Sequence, residues 1–204
     1  MAAVTALQGL RDCGHLQPGQ QVLIYGAGGG VGNFAVQLAR HFGARVTAVC
    51  SSRNAELARS LGAEVVIDYA RENFADNGRR YDLILAVNGS RPLAVYRRAL
   101  AAGGRLVVAG GTLAQVMGSM IFGPLLSLGS RKVRTLAAKP NVGDLEFIIG
   151  LVEAGQIRPV IDRHYPLRQA AEAMAYLSQG HARGKVLIDV AADDPQDEEG
   201  VTPV

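Results

Sequence analysis

The chain has 204 residues, 49% of them hydrophobic and 19% charged, enough apolar material for a core and too much for global disorder. The length suits one good-sized domain with appendages rather than two full domains. The net charge of +3 hides an asymmetry: five acids (Asp193, Asp194, Asp197, Glu198, Glu199) and no basic residue fall in 191–204, leaving 13 acidic against 21 basic residues elsewhere. The arginines are scattered with no aromatic-basic stripe, which argues against nucleic acid and for a phosphorylated small molecule. Cys13 and Cys50 form no disulfide framework and no CxxC or Cys/His spacing, so no metal site is expected. The opening MAAVTALQGLRDCGHL is interrupted by Arg11, Asp12 and His15 and reads as no signal peptide. A reducing, cytoplasmic compartment follows.

From Gln20 onward, apolar runs alternate with helical stretches. QVLIYG is a strand ending in glycine. VGNFAVQLARHF follows, with Val31, Phe34, Ala35, Leu38, Ala39 and Phe42 at helical spacing. Next come the run RVTAVC, the helix NAELARSLG, the run EVVIDY, a weak segment, and the run YDLILAV. PLAVYRRAL is helical and GGRLVVAGG is a fifth strand. Leu106 to Ser130 carries no charge, long enough to cross a bilayer. Its glycines, Pro124 and hydroxyl residues favour a buried strand, a loop and a short apolar helix instead. VRTLAA is a sixth run and DLEFIIGLVEAG a helix. Continuous apolar strands between helices predict a parallel six-stranded sheet covered on both faces, a doubly wound Rossmann-like α/β fold. Beyond Gly155 come a short strand PVIDRHYP, a helix LRQAAEAMAYLSQG and a final strand GKVLIDV. The acidic tail reads as disordered.

The glycine cluster Gly26-Ala27-Gly28-Gly29-Gly30-Val31-Gly32 joins the first strand to the first helix of this series. Position 27 is read as the tight turn, Gly29 as the point where backbone approaches a pyrophosphate, and Gly32 as the close helix–strand contact. The helix N-terminus offers unsatisfied amides and a partial positive charge to the anion. A site for NAD places an acid about 20 residues past the loop, on the ribose 2′-hydroxyl. Here that place reads Cys50-Ser51-Ser52-Arg53-Asn54, with no acid before Glu56. Two hydroxyls and an arginine suit a 2′-phosphate, so NADPH is the expected cofactor. The plainer alternative is that Ser51 or Ser52 caps the helix that follows.

These residues carry a family resemblance over about residues 2–190. LQPGQQVLIYGAGGGVGNFAVQLARHFGARVTAVCSSRNAELARSLGAEVVIDY resembles the nucleotide-binding domain of the medium-chain dehydrogenase/reductase superfamily, nearest its zinc-independent quinone oxidoreductase branch. The resemblance implies hydride transfer from NADPH to a quinone or an α,β-unsaturated carbonyl. It implies that Gly29, Gly30, Val31 and Gly32 hold the pyrophosphate, and that Ser51, Arg53 and Tyr69 approach the 2′-phosphate. Asn88, Gly110 and Gly111 would line the nicotinamide ribose. Leu136, Ala137 and Ala138 would lie beside the nicotinamide, and Lys185 would return near the cofactor. Tyr69 reads equally as a strand-end aromatic, Asn88 as a turn residue and Lys185 as a solvated strand flank.

The family's members begin with a GroES-like substrate domain that has no counterpart here. The resemblance therefore divides the chain into a bridging helix (1–19), the dinucleotide-binding domain (20–155), remnant elements of the substrate domain (156–190) and the acidic tail (191–204). No catalytic residue is assigned. The two C-terminal strands are expected to present unpaired edges. Three readings stand: an NADPH-dependent reductase, shortened or completed by a partner chain; a non-catalytic NADP(H)-binding module that forms a homodimer through the sixth strand; and a fragment of a longer protein.

Overall fold

The computed structural model describes residues 1–111, 130–180 and 182–190. Six strands form one parallel sheet: β1 (Gln21–Tyr25), β2 (Arg45–Cys50), β3 (Val65–Asp68), β4 (Tyr81–Gly89), β5 (Leu100–Gly111) and β6 (Lys132–Thr135). Their order is β3-β2-β1-β4-β5-β6, all parallel. The chain winds outward from β1 in one direction, then returns to start the other half at β4. That reversal between β1 and β4 opens a crevice at the carboxyl ends of the strands.

The strands read as continuous apolar runs because both faces are covered. On one face Leu23, Tyr25, Ile84, Ala86, Leu106 and Val108 cluster with Phe74, Tyr96 and Ala99. Alternation along the strands sends Val22, Ile24, Leu83, Leu85 and Val107 to the other face, all fully buried. There α1 (Ala2–Gln8) contacts α2 (Gly32–His41) and α5 (Val142–Glu153). α1 runs on as a π-helical turn, Gly9–Cys13. A β-carbon on Gly9 would stand 2.9 Å from Leu85 Cδ1, so this helix packs directly on the sheet.

The two remaining helices are α3 (Ala55–Ser60) and α4 (Leu93–Ala99). The weak segment before β4 is a turn-rich connection, not a helix, pinned by buried Phe74 and Ala75. β6 ends at Thr135, so Leu136, Ala137 and Ala138 follow the strand rather than belong to it. The loop and helix expected within 112–129, and the acidic tail 191–204, lie outside the described residues.

Contacts divide the chain into Met1–Pro159 and a second unit from Val160. Within the second unit, β7 (Ile161–Pro166) and β8 (Lys185–Asp189) pair with each other in parallel, connected through α6 (Ala170–Ser178). In this two-stranded sheet each strand takes one partner, because a connection with a helix of α6's length spans a parallel crossover. Asp162 holds this unit together, accepting from the Tyr176 hydroxyl at 2.7 Å and the Arg183 amide at 3.0 Å.

Candidate dinucleotide site

The glycine loop is held from three sides. The Gly26 and Ala27 amides both donate to the Val49 carbonyl of β2, at 3.1 and 3.0 Å. A β-carbon on Gly26 would collide with the Val87 carbonyl of β4. One on Gly28 would collide with the Asn54 side chain. The tight turn belongs to Gly26, at φ +85°, and not to position 27 as the sequence reading had it. Ala27 is an ordinary buried residue there, since only the glycine beside it can take the left-handed conformation.

Gly32 behaves as expected: a β-carbon on it would overlap the Gly26 carbonyl and the Ala27 backbone. Gly29 is the reverse case. Around it nothing but the Gly26 oxygen, at 3.6 Å, approaches the β-carbon position, so its outer side is open. Gly29, Gly30 and Val31 are half-buried and form the loop's outward face. α2 begins here with no side-chain cap and no acid in its first turn. The Asn33 amide turns back to the Gly29 carbonyl at 2.9 Å, and the positive end of the helix dipole at the loop has no acid in the first turn to offset it. The arrangement fits a pyrophosphate.

The strand ends place most of the other expected residues along the same edge. Tyr25 stands beside Val49 on one side and Ala86 on the other. Asn88 is on β4 immediately after Val87, whose carbonyl backs Gly26. Gly89 is registered with Gly111, and Gly110 turns at φ +88° with open space where a side chain would be. The Leu136 amide donates to the Val108 carbonyl of β5 at 2.8 Å, and Ala137 and Ala138 follow it. Lys185 lies in the second unit, where it opens β8 and its amide donates to the Val160 carbonyl at 2.8 Å; partial burial lowers its amine below the usual lysine range.

At the end of β2, Ser51 precedes a 3-10 turn, Ser52–Asn54, and Arg53 lies within it. Neither serine serves as a side-chain cap: Ser51 precedes the 3-10 turn and Asn54 precedes α3, both without a capping hydrogen bond. The Ser51 hydroxyl instead accepts from Asn54 Nδ2 at 3.3 Å. Arg53 is exposed. Tyr69 is 47% exposed, with its amide on the Cys50 carbonyl at 3.2 Å. The carboxylate in this corner is Asp68, paired in register with Cys50. It turns to the Ala70 amide at 2.9 Å and toward Arg71 at 3.7 Å. Cys50 is buried, and burial with the nearby Asp68 charge pushes its thiol up to about 11.

Three residues escaped the sequence reading. Arg91 reaches from the β4–α4 connection to the Tyr69 carbonyl at 3.4 Å. Ser90 meets the Tyr25 hydroxyl at 3.1 Å. Asn54 contacts both Ser51 and Gly28. Ser90 and Arg91 follow Asn88 directly, so the same strand end that pointed to Asn88 points to them.

A family model described as "Zinc-binding dehydrogenase" matches residues 61–188. Among the described residues no three or more His, Cys, Asp or Glu side chains converge, so they supply no ligand set for the zinc of that description. The chloroplast envelope quinone oxidoreductase homolog of Arabidopsis thaliana is 33% identical over 93% of this chain and 60% of its own length. The chloroplastic NADPH-dependent alkenal/one oxidoreductase of the same plant is 33% identical over 92% of this chain and 45% of its own. The solved quinone oxidoreductase of Coxiella burnetii superposes with a TM-score of 0.79 at 29% identity, over 93% of this chain and 58% of that one. This chain thus spans about half to three fifths of its relatives' length. No helix among the described residues is long and apolar enough to cross a membrane. Sequence, sheet order and glycine loop agree with these matches: the chain belongs to the zinc-binding dehydrogenase family of the medium-chain dehydrogenase/reductase superfamily, in its quinone oxidoreductase-like branch.

Proposed function

We propose that this chain binds NADPH and serves the reduction of a quinone or an α,β-unsaturated carbonyl. One observation carries the cofactor reading. An uncapped helix N-terminus behind Gly29 stands at the strand-order reversal, and the neighbouring β2 end bears Ser51 and Arg53 where an acid would select NADH. The acid in that corner, Asp68, is engaged with Ala70 and Arg71.

When bound, NADPH supplies the hydride. The loop residues Gly29, Gly30, Val31 and Gly32 hold the pyrophosphate by backbone amides. Ser51 and Arg53 bind the 2′-phosphate, with Tyr69 beside it. Asn88, Gly110 and Gly111 border the nicotinamide ribose, and Leu136 to Ala138 border the ring. No side chain of this chain is assigned the proton transfer to substrate. The relatives' names supply the substrate class. Two free cysteines suit a reducing compartment such as the cytoplasm. β6, an edge strand, is the surface for a homodimer.

Titration with NADPH, then loss of its absorbance with quinones and enals, tests the reading. Tight binding with turnover supports it. Binding without turnover by any acceptor reduces the function to that of an NADP(H)-binding module. No binding of either dinucleotide overturns both.

A further inference from the structure

Asn54 has a peculiar environment for an asparagine. It is 8% exposed, and its Oδ1 is buried without a hydrogen-bond partner among the described residues. Leaving one end of a buried amide unpaired costs folding stability, which an apolar residue of the same shape would avoid. The other end makes two contacts. Nδ2 donates to Ser51 Oγ at 3.3 Å. The same amide lies against Gly28, where an added β-carbon would stand 2.8 Å from Asn54 Cγ. One side chain therefore touches both the phosphate loop and the end of β2.

We infer that Asn54 is the positioning residue that sets the Ser51 hydroxyl as a donor toward a phosphate monoester, and thereby sharpens the choice of NADPH over NADH. A serine hydroxyl has one proton and two lone pairs. The Asn54 amide can only donate through Nδ2, so it occupies a lone pair and leaves the Ser51 proton to be donated outward. A phosphate oxygen accepts that proton. The contact with Gly28 fixes the amide, since no alanine fits there to push it aside or replace it. This inference rests on the proposed NADPH reading.

Equilibrium titrations of the full chain with NADPH and with NADH test it, using wild type, Asn54→Leu, Asn54→Asp, Ser51→Ala and the Ser51→Ala/Asn54→Leu and Ser51→Ala/Asn54→Asp double variants. Melting curves accompany each titration. Wild type is expected to prefer NADPH. Asn54→Leu keeps the shape and removes the donor; it should lower the NADPH-to-NADH affinity ratio about fivefold, a loss of one oriented hydrogen bond, with NADH binding little changed. Asn54→Asp reverses the hydrogen bond and adds a negative charge, so the ratio should fall further. In the Ser51→Ala background, Asn54→Leu should change nothing more. If Asn54→Leu fails to fold, the isosteric Asn54→Asp carries the test by comparison with Ser51→Ala/Asn54→Asp: its effect on the ratio should be smaller without the Ser51 hydroxyl, and an equal effect, charge repulsion alone, would overturn the inference. Equal weakening of both dinucleotides, or losses that add to that of Ser51→Ala, would overturn the inference. An unmoved ratio in both variants, with wild type preferring NADPH, overturns it alone. A wild type without that preference overturns the NADPH reading as well.

Discussion

Gly32 sits directly against Gly26: a β-carbon on the first residue of α2 would overlap the carbonyl oxygen that closes the turn after β1. Two glycines at a fixed spacing thus bring a helix end and a strand end closer than any side chain permits. Gly32→Ala must push α2 away from the loop. Overpacking of this kind costs about 1 to 3 kcal/mol. The displaced helix also withdraws its amides from the anion. The expected outcome is a lowered melting temperature together with loss of NADPH binding in a titration. Native affinity in a folded Gly32→Ala protein would show that the pyrophosphate binds elsewhere.

In the proposed NADPH site, Arg53 is the residue that would separate the two cofactors by charge. A reversed charge, Arg53→Glu, removes a phosphate partner and adds a repulsion. A charge-assisted hydrogen bond is worth about 1.5 to 3 kcal/mol, so NADPH should bind at least about tenfold more weakly. NADH should be affected far less, and the salt dependence of NADPH binding should flatten. Parallel losses for both dinucleotides would place Arg53 away from the 2′-phosphate.

Asp144 joins α5 to α1. Its two carboxylate oxygens accept from Arg11 at 2.7 Å and from Gln8 at 2.8 Å, and its amide donates to the Asn141 side chain at 3.0 Å. Gln8 also pairs with the Lys139 backbone in both directions, at 2.9 and 3.0 Å. Those hydrogen bonds hold the carboxyl below its ordinary value of 3.8. The sign follows from linkage: the stabilisation is fully present above that value and is lost as the pH falls through the folded-state value. Asp144→Asn should cost about 1 to 3 kcal/mol at neutral pH, and the two proteins should converge in strong acid. Denaturant melts across pH check this; a difference independent of pH would assign the effect to packing.

Neither cysteine is prepared for chemistry. The Cys50 thiol sits at about 11, and burial with the Asp12 charge raises Cys13 as well. A thiol reagent at neutral pH should label the native protein slowly, and unfolding should release two fast-reacting thiols. A fast equivalent in the native state would reveal an activated cysteine.

The order of strands and helices was legible along the chain because a sheet covered on both faces demands unbroken apolar runs, as in Val22–Tyr25 and Leu83–Val87. The loop between β1 and α2 was legible because few other roles put glycines between a strand and an apolar helix. Asn54 and Arg91 were not. Their importance depends on neighbours far off in sequence, Gly28 and Tyr69, which only the turn of the chain brings near. The pairing of β7 with β8 was equally invisible, since either strand would pair with whatever edge the fold presented.

The glycines of the loop divide by role: Gly26 and Gly32 lie against backbone, and Gly29 is open on its outer side. Sequence alone determined that a doubly wound sheet with a glycine-rich loop between β1 and α2 would form, because hydrophobic periodicity and glycine placement are local properties. Which glycine makes the turn was decided by the tertiary structure. Gly26 takes it and Ala27 does not, because the Val87 carbonyl of a strand some sixty residues away leaves no room for a side chain at position 26.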